Sequence, residues 1–166
     1  MKKIGLMSDT HGYIDPKIYD YFKDVDEIWH AGDVGDISVV DDLEGFKPVR
    51  GVYGNIDDHV IRAAWPKVNT FECEGAKVVI THIAGKPYRY VKDAKEVIDI
   101  EQPTVFVCGH SHILLVQYDK NINALWLNPG ACGYKGFHKV KTILRFEIEQ
   151  GKVQNMEAIE LGPKSI

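Results

Sequence analysis

No stretch of this chain stays apolar for the roughly 20 consecutive residues that a membrane-spanning helix needs. The amino terminus, MKKIGLMSDTHG, sets two lysines before an apolar stretch of only four residues, too short for the apolar region of an export signal. Cysteine is scarce: Cys73, Cys108 and Cys132 are odd in number and show no CxxC spacing. That argues against a disulfide framework and points to a reduced, cytoplasmic protein with cysteines in its core. A marked excess of charge is also missing. With 20 Lys and Arg against 24 Asp and Glu, the net charge of -4 gives no indication of a nucleic-acid or membrane surface. Internal repeats, low-complexity tracts and Pro/Gly/Ser-rich linkers are absent as well. What remains is 166 residues of ordinary globular composition, 45% hydrophobic and 27% charged, expected to form a single domain over 1–166.

The chain alternates strand and helix signals early and strands dominate later. Strands are expected at 2–8, 27–31, 48–54 and 104–109, with helices at 15–25, 37–46 and 90–100. Asp15 reads as the N-cap of the first helix and Pro16 as its first residue. Residues 69–82 read as a hairpin turning at Glu74-Gly75, and the segments 114–128 and 141–161 as two more. This order predicts an α/β (α+β) domain with more than one sheet layer.

The ends of the strands share a feature. IGLMS runs into Asp9-Thr10-His11, EIWHA into Gly32-Asp33, and PVRGVY into Gly54-Asn55. KVVI runs into Thr81-His82, and TVFVC into Gly109-His110-Ser111-His112. Five apolar runs thus finish in Asp, His or Asn at the edge where open α/β sheets bind ligands. On extended chain, residues two apart point the same way, so Asp9 can converge with His11, and His110 with His112.

The inventory is three oxygen donors (Asp9, Asp33, Asn55) and four imidazoles (His11, His82, His110, His112). Mixed imidazole and carboxylate ligands suit divalent Mn, Fe, Co, Ni or Zn, and suit Ca poorly. The absence of thiolates argues against a structural zinc site. Seven donors exceed what one open catalytic ion needs but suit two ions sharing a carboxylate. Such ions, roughly 3.5–4 Å apart, clamp the attacking and leaving oxygens of a displacement at phosphorus and acidify a shared water toward hydroxide.

DTH (9–11), GD (32–33), GN (54–55), TH (81–82) and GHSH (109–112), in this order, resemble the calcineurin-like metallophosphoesterases. The short length and NPGA (128–131) after a strand resemble the small prokaryotic phosphodiesterase branch of that family. The resemblance implies two facing β-sheets flanked by helices, an αββα sandwich. It assigns Asp9, His11 and His112 to one metal and Asn55, His82 and His110 to the other, with Asp33 bridging them. Asn55 would also face the substrate phosphate. The cofactors implied are two divalent ions, with manganese expected in vitro and Ni, Fe, Co or Zn as the other candidates.

Two positions depart from the family pattern. Ile56 in GNID replaces a histidine that in the family protonates the leaving group or stabilises the phosphate, and Ala84 in THIAGK replaces a second histidine, so one more polar group near the phosphate is expected to be lost. General acid catalysis contributes about 10²–10⁴-fold, so modest turnover and a bias toward good leaving groups are expected. Asp57 matches the acidic position that orients the missing histidine, and stands as a third catalytic candidate beside Asn55 and Asp33. His30 reads as a core or supporting group inside its strand, and His59 and His138 as loop residues. Phosphodiester hydrolysis of a small molecule is the function expected. A phosphomonoesterase or nucleotide phosphatase is the alternative on the same site, and the sequence leaves a homo-oligomer open. A non-catalytic scaffold, like the similar retromer subunit of vesicle sorting, belongs to another class; intact donors at all seven positions argue against it.

Overall fold

The protein is described from a computed structural model covering residues 1–164. Two five-stranded sheets make up most of it. The first contains β1 (Lys2–Met7), β2 (Glu27–His30), β3 (Val49–Gly51), β11 (Val140–Glu149) and β12 (Lys152–Pro163), in the order β12-β11-β1-β2-β3. The second contains β4 (Val68–Cys73), β5 (Ala76–Thr81), β8 (Val105–Val107), β9 (Leu114–Asp119) and β10 (Ala124–Pro129), in the order β4-β5-β8-β10-β9. In each sheet three parallel strands form one block: β1, β2 and β3 in the first, β5, β8 and β10 in the second. Antiparallel hairpin strands extend both sheets, as the sequence pattern anticipates.

Alternation along the strands builds three apolar layers. Ile4, Leu6, Val78, Ile80, Val105 and Val107 point into the space between the sheets and pack around Trp29 and Phe146. Their neighbours point outward, since successive side chains alternate across a strand. Met7 and Ile28 meet the helices α1 (Lys17–Tyr21), α2 (Ile37–Phe46) and α3 (His59–Ala64) through Ile18, Leu43 and Ile61. Val79 and Phe106 meet α4 (Lys92–Glu101) through Ala94 and Ile98. Helices therefore cover the outer face of each sheet, the αββα arrangement expected. Among the described residues no helix is long and apolar enough to cross a membrane.

Several elements differ from the sequence reading. The first helix spans five residues rather than eleven, because Phe22 leaves helical geometry (φ -98°, ψ 9°). Its ring packs with Ile18, and Val25 then leads into β2. The Asp15 carboxylate does accept from the Lys17 amide (3.0 Å), while its other oxygen is held by Lys141 (2.7 Å) in a buried pair. Helix α3 and the two-stranded hairpin of β6 (Gly85–Lys86) and β7 (Arg89–Tyr90) were not expected. Asp58 caps α3 by accepting from the Ile61 amide, a signal hidden in a short irregular stretch.

His30, fully buried at the end of β2, ties two strand-end loops together. The Gly32 amide donates to Nδ1 (3.1 Å), so the proton sits on Nε2, which faces Thr10 Oγ1 at 3.1 Å. That hydroxyl in turn donates to the Val34 carbonyl (2.8 Å). Burial holds this imidazole down at about 4, against the opposing pull of the Asp57 and Asp9 carboxylates. The unfolded chain takes up the proton near pH 6.5, so the stability contributed is complete above that pH and is lost as pH falls toward 4. At about 1.4 kcal/mol per pH unit, the loss is roughly 3 kcal/mol. An NMR titration is expected to find the His30 ring neutral down to about pH 4; a midpoint near 6.5 would contradict this reading.

Candidate metal centre

The loops that leave β1, β2, β3, β5 and β8 converge, and the backbone there is unusual. Asp9 (φ 57°), His11 (φ 47°), Asp33 (φ 55°), His110 (φ 70°) and His112 (φ 61°) all occupy the left-handed region. Asp and His tolerate that region better than most residues, and such strain concentrates at functional sites. Here it bends the chain at the ends of β1, β2 and β8, where these polar side chains turn toward the site. Backbone bonds lock the bends: Asp9 N to Gly32 O (2.9 Å), His11 N to Asp33 O (3.1 Å) and Gly109 N to His82 O (3.0 Å). The glycines before Asn55 and His110 allow close approach. A Cβ on Gly54 would lie 2.1 Å from Asp33 Oδ1, and one on Gly109 would lie 2.2 Å from Ser8 Oγ.

Two groups of donors result. Asp9, His11 and His112 offer ligand atoms within 4.8 Å of one another, and so do Asp33, His82 and His110. Asn55 stands at the edge of the second group, with Oδ1 3.1 Å from His110 Nδ1. All seven residues expected from the sequence are therefore brought together. Asp33 faces both groups: Oδ1 lies 3.2 Å from His82 Nε2 and Oδ2 lies 3.6 Å from His11 Nε2. Asp9 Oδ1 lies 3.2 Å from His112 Nε2 and 3.9 Å from both His11 Nε2 and His82 Nε2.

The donors fit divalent cations by two observations. Bonds of about 2.1 Å to one cation, at octahedral to tetrahedral angles, separate neighbouring donors by roughly 3.0–3.4 Å. The closest pairs in each group, at 3.1 and 3.2 Å, match that spacing. The second observation is that Asp9 Oδ1, His11 Nε2 and His82 Nε2 are buried without a hydrogen-bond partner. Buried polar atoms of native proteins are rarely left so. In His82 the Ala31 carbonyl accepts from Nδ1 (2.7 Å), which in the neutral ring leaves a lone pair on Nε2 pointing at a carboxylate. A proton or a cation between those atoms removes the repulsion. Burial opposes the charged form of His82, but Asp33 and Asp9 outweigh it and raise the imidazole above its ordinary value. His11 goes the other way, held below its ordinary value by burial despite the same two carboxylates.

Supporting groups fix the donors. Ser8 Oγ donates to Asp9 Oδ2 (2.6 Å) and the His110 amide donates to the same oxygen (3.2 Å). The Ile56 amide donates to Asp33 Oδ1 (3.1 Å). Asp57 is buried, and its carboxylate accepts from the amides of Val34 (3.1 Å), Gly35 (2.9 Å) and Gly54 (2.7 Å). Those bonds use both of its oxygens to join the loops that carry Asp33 and Asn55. Asn128 Nδ2 donates to the Gly109 carbonyl (3.1 Å) and to Ser111 Oγ (3.0 Å), and so shapes the loop of His110 and His112. Its place in NPGA is the signal that could have found it. Ile56 is half-exposed beside the site, whereas Ala84 is buried among Ala94 and Ile98 on the α4 side. The Ala84 side chain thus belongs to the apolar layer under α4, a correction to the reading of a lost group beside the phosphate.

The model of the calcineurin-like phosphoesterase superfamily domain matches residues 1–151. A probable metallophosphoesterase of Methanothermobacter thermautotrophicus is 32% identical over 135 residues, covering 77% of this chain and 76% of that protein. A second, from Methanocaldococcus jannaschii, is 30% identical over 134 residues, covering 77% of this chain and 67% of its own. Among solved structures, one described as a novel archaeal phosphodiesterase is 25% identical with a TM-score of 0.73, over 96% of this chain and 99% of that one. Vps29 of Chaetomium thermophilum, at 14% identity and a TM-score of 0.73 over 98% and 100%, shares the fold. With two β-sheets flanked by helices, two clustered donor groups at their strand ends and a family match over most of its length, the chain belongs to the calcineurin-like phosphoesterase superfamily.

Proposed function

We propose that the protein is a two-metal phosphodiesterase acting on small-molecule phosphodiesters. The observation that carries this reading is the division of Asp33, one oxygen toward His82 and the other toward His11, as a carboxylate shared between two cations requires. Asp9, His11 and His112 would hold one ion, and Asn55, His82 and His110 the other. A pair of divalent cations supplies charge neutralisation for the phosphoryl oxygens and acidifies water at neutral pH. Asn55, exposed at the rim, would donate its amide to a phosphoryl oxygen. Asp57 acts as a positioning residue through the amides it holds.

The diester preference rests on what adjoins Asn55. A groove of about 700 Å³ runs from Asn55 between α3 and α4, lined by Tyr53, Arg62, Val68, Ile83, Val91 and Val97. It offers room for a second substituent on phosphorus, and its apolar walls, interrupted by the charges of Arg62, Lys67, Lys92, Asp93 and Glu96, suit an organic group better than bare solvent. The resemblance to an archaeal phosphodiesterase supports the same choice. The three buried, unpaired cysteines agree with a reducing cytoplasmic setting. The complete donor set favours catalysis over a purely scaffolding role.

No side chain capable of general acid catalysis occupies position 56, so solvent would supply the leaving group's proton and a bound cation would supply charge to stabilise it. A panel of aryl phosphodiesters and monoesters assayed with Mn²⁺ tests the proposal. Diesters are expected to be cleaved faster, with rates falling steeply as the leaving group becomes more basic. Asp33→Asn and His82→Ala are expected to lower the rate by at least about 10²-fold. A monoester preference above about tenfold, or unchanged rates in both variants, would contradict it.

A further inference from the structure

We propose that His138 is a positioning residue that sets the tautomer and orientation of His112 at the metal centre. The proposal rests on the reading of His112 as a metal ligand. It starts from the Gly133 carbonyl, which lies 2.7 Å from His138 Nε2. A carbonyl only accepts, so Nε2 carries the proton and the Nδ1 of the neutral ring is a lone pair. That Nδ1 stands 3.2 Å from His112 Nδ1, with the two rings edge to face at 75° and their centroids 5.0 Å apart. A hydrogen bond between two such nitrogens needs one proton, and only His112 can supply it. His112 Nε2 is then left as the lone pair, and that atom faces Asp9 Oδ1 at 3.2 Å. The chain from Gly133 through His138 thus leaves His112 in the one tautomer that can bind a cation beside Asp9.

The backbone around the pair is built for this contact. Gly136 has φ +129°, and a Cβ there would lie 2.1 Å from His112 Nδ1 and 3.3 Å from His138 Nδ1. Any side chain at 136 would push the rings apart. The Gly133 amide donates to the Asp9 carbonyl (3.2 Å), and a Cβ at 133 would meet Thr10 O at 2.4 Å. The acceptor for His138 is therefore pinned to the same loop that carries Asp9, closing a circuit of Asp9, Gly133, His138 and His112. Groups that orient metal-bound imidazoles typically affect metal affinity by about 10–100-fold.

Long-range ¹H–¹⁵N correlation spectra of the histidine-labelled, metal-free full chain read the tautomer directly. A Zn²⁺ titration against a chelator, followed on the His112 ring signals, reads the affinity. His112 is expected to carry its proton on Nδ1 in the parent protein. In His138→Ala it is expected to lose that preference, with Zn²⁺ affinity at His112 falling about 10–100-fold. His138→Asn places a carbonyl oxygen near the lost Nδ1 and is expected to restore most of both. If the Ala variant keeps the Nδ1–H tautomer and parental affinity, or if Asn restores neither, the proposal is overturned. Failure of Zn²⁺ to move the His112 signals in the parent protein would instead overturn the ligand reading itself, and this proposal with it.

Discussion

Asp9 and Asp33 are 0% and 3% exposed, and the basic groups within 4 Å of either are imidazoles rather than Lys or Arg among the described residues. Two carboxylates removed from water without a cation are costly, and imidazoles presenting lone pairs to them make the arrangement worse. Much else in the structure is arranged to hold these groups in that relation. Strand ends adopt left-handed backbone at five of the seven donor positions, and glycines before Asn55 and His110 let loops approach within contact of Asp33 and Ser8. Divalent cations would resolve the conflict by supplying the positive charge that the protein itself withholds.

The two sheets serve this end in different ways. The first brings Asp9, His11, Asp33 and Asn55 from the ends of three adjacent parallel strands, and Asp57 and His30 bind their loops to one another. The second sheet brings His82, His110 and His112 from two adjacent parallel strands, with Asn128 bracing the loop after β8. The apolar layer between the sheets sets how closely the two edges meet. The site therefore depends on the sandwich as a whole, since neither sheet holds a complete donor group. Asp9 and His11 need His112 from across the sandwich, and Asp33 needs His82 and His110.

Legibility in the sequence followed the range of the interaction. Each donor directly follows an apolar strand, so its placement is a local property and could be read from the strand pattern alone. The layers were legible for the same reason, because Val78, Val79 and Ile80 alternate between two cores as strand geometry demands. Helix α3 escaped because its six residues hold a single fully buried side chain, Ile61, too little to show a period. The roles of Asp57 and His138 escaped because they arise from contacts across loops. Asp57 meets amides 22 and 23 residues away, and His138 meets a ring 26 residues away, which no spacing rule encodes. Ala84 misled because a motif position was taken to imply a direction, whereas here the side chain turns toward α4.

Asp33 is proposed as the one carboxylate that would join two cations on a single chain. Reconstitution with Mn²⁺, elemental analysis and electron paramagnetic resonance test it together. Two ions per chain are expected, with the broadened spectrum of a magnetically coupled pair, since ions sharing a carboxylate lie roughly 3.5–4 Å apart. One ion per chain, or the spectrum of isolated ions at full loading, would contradict it.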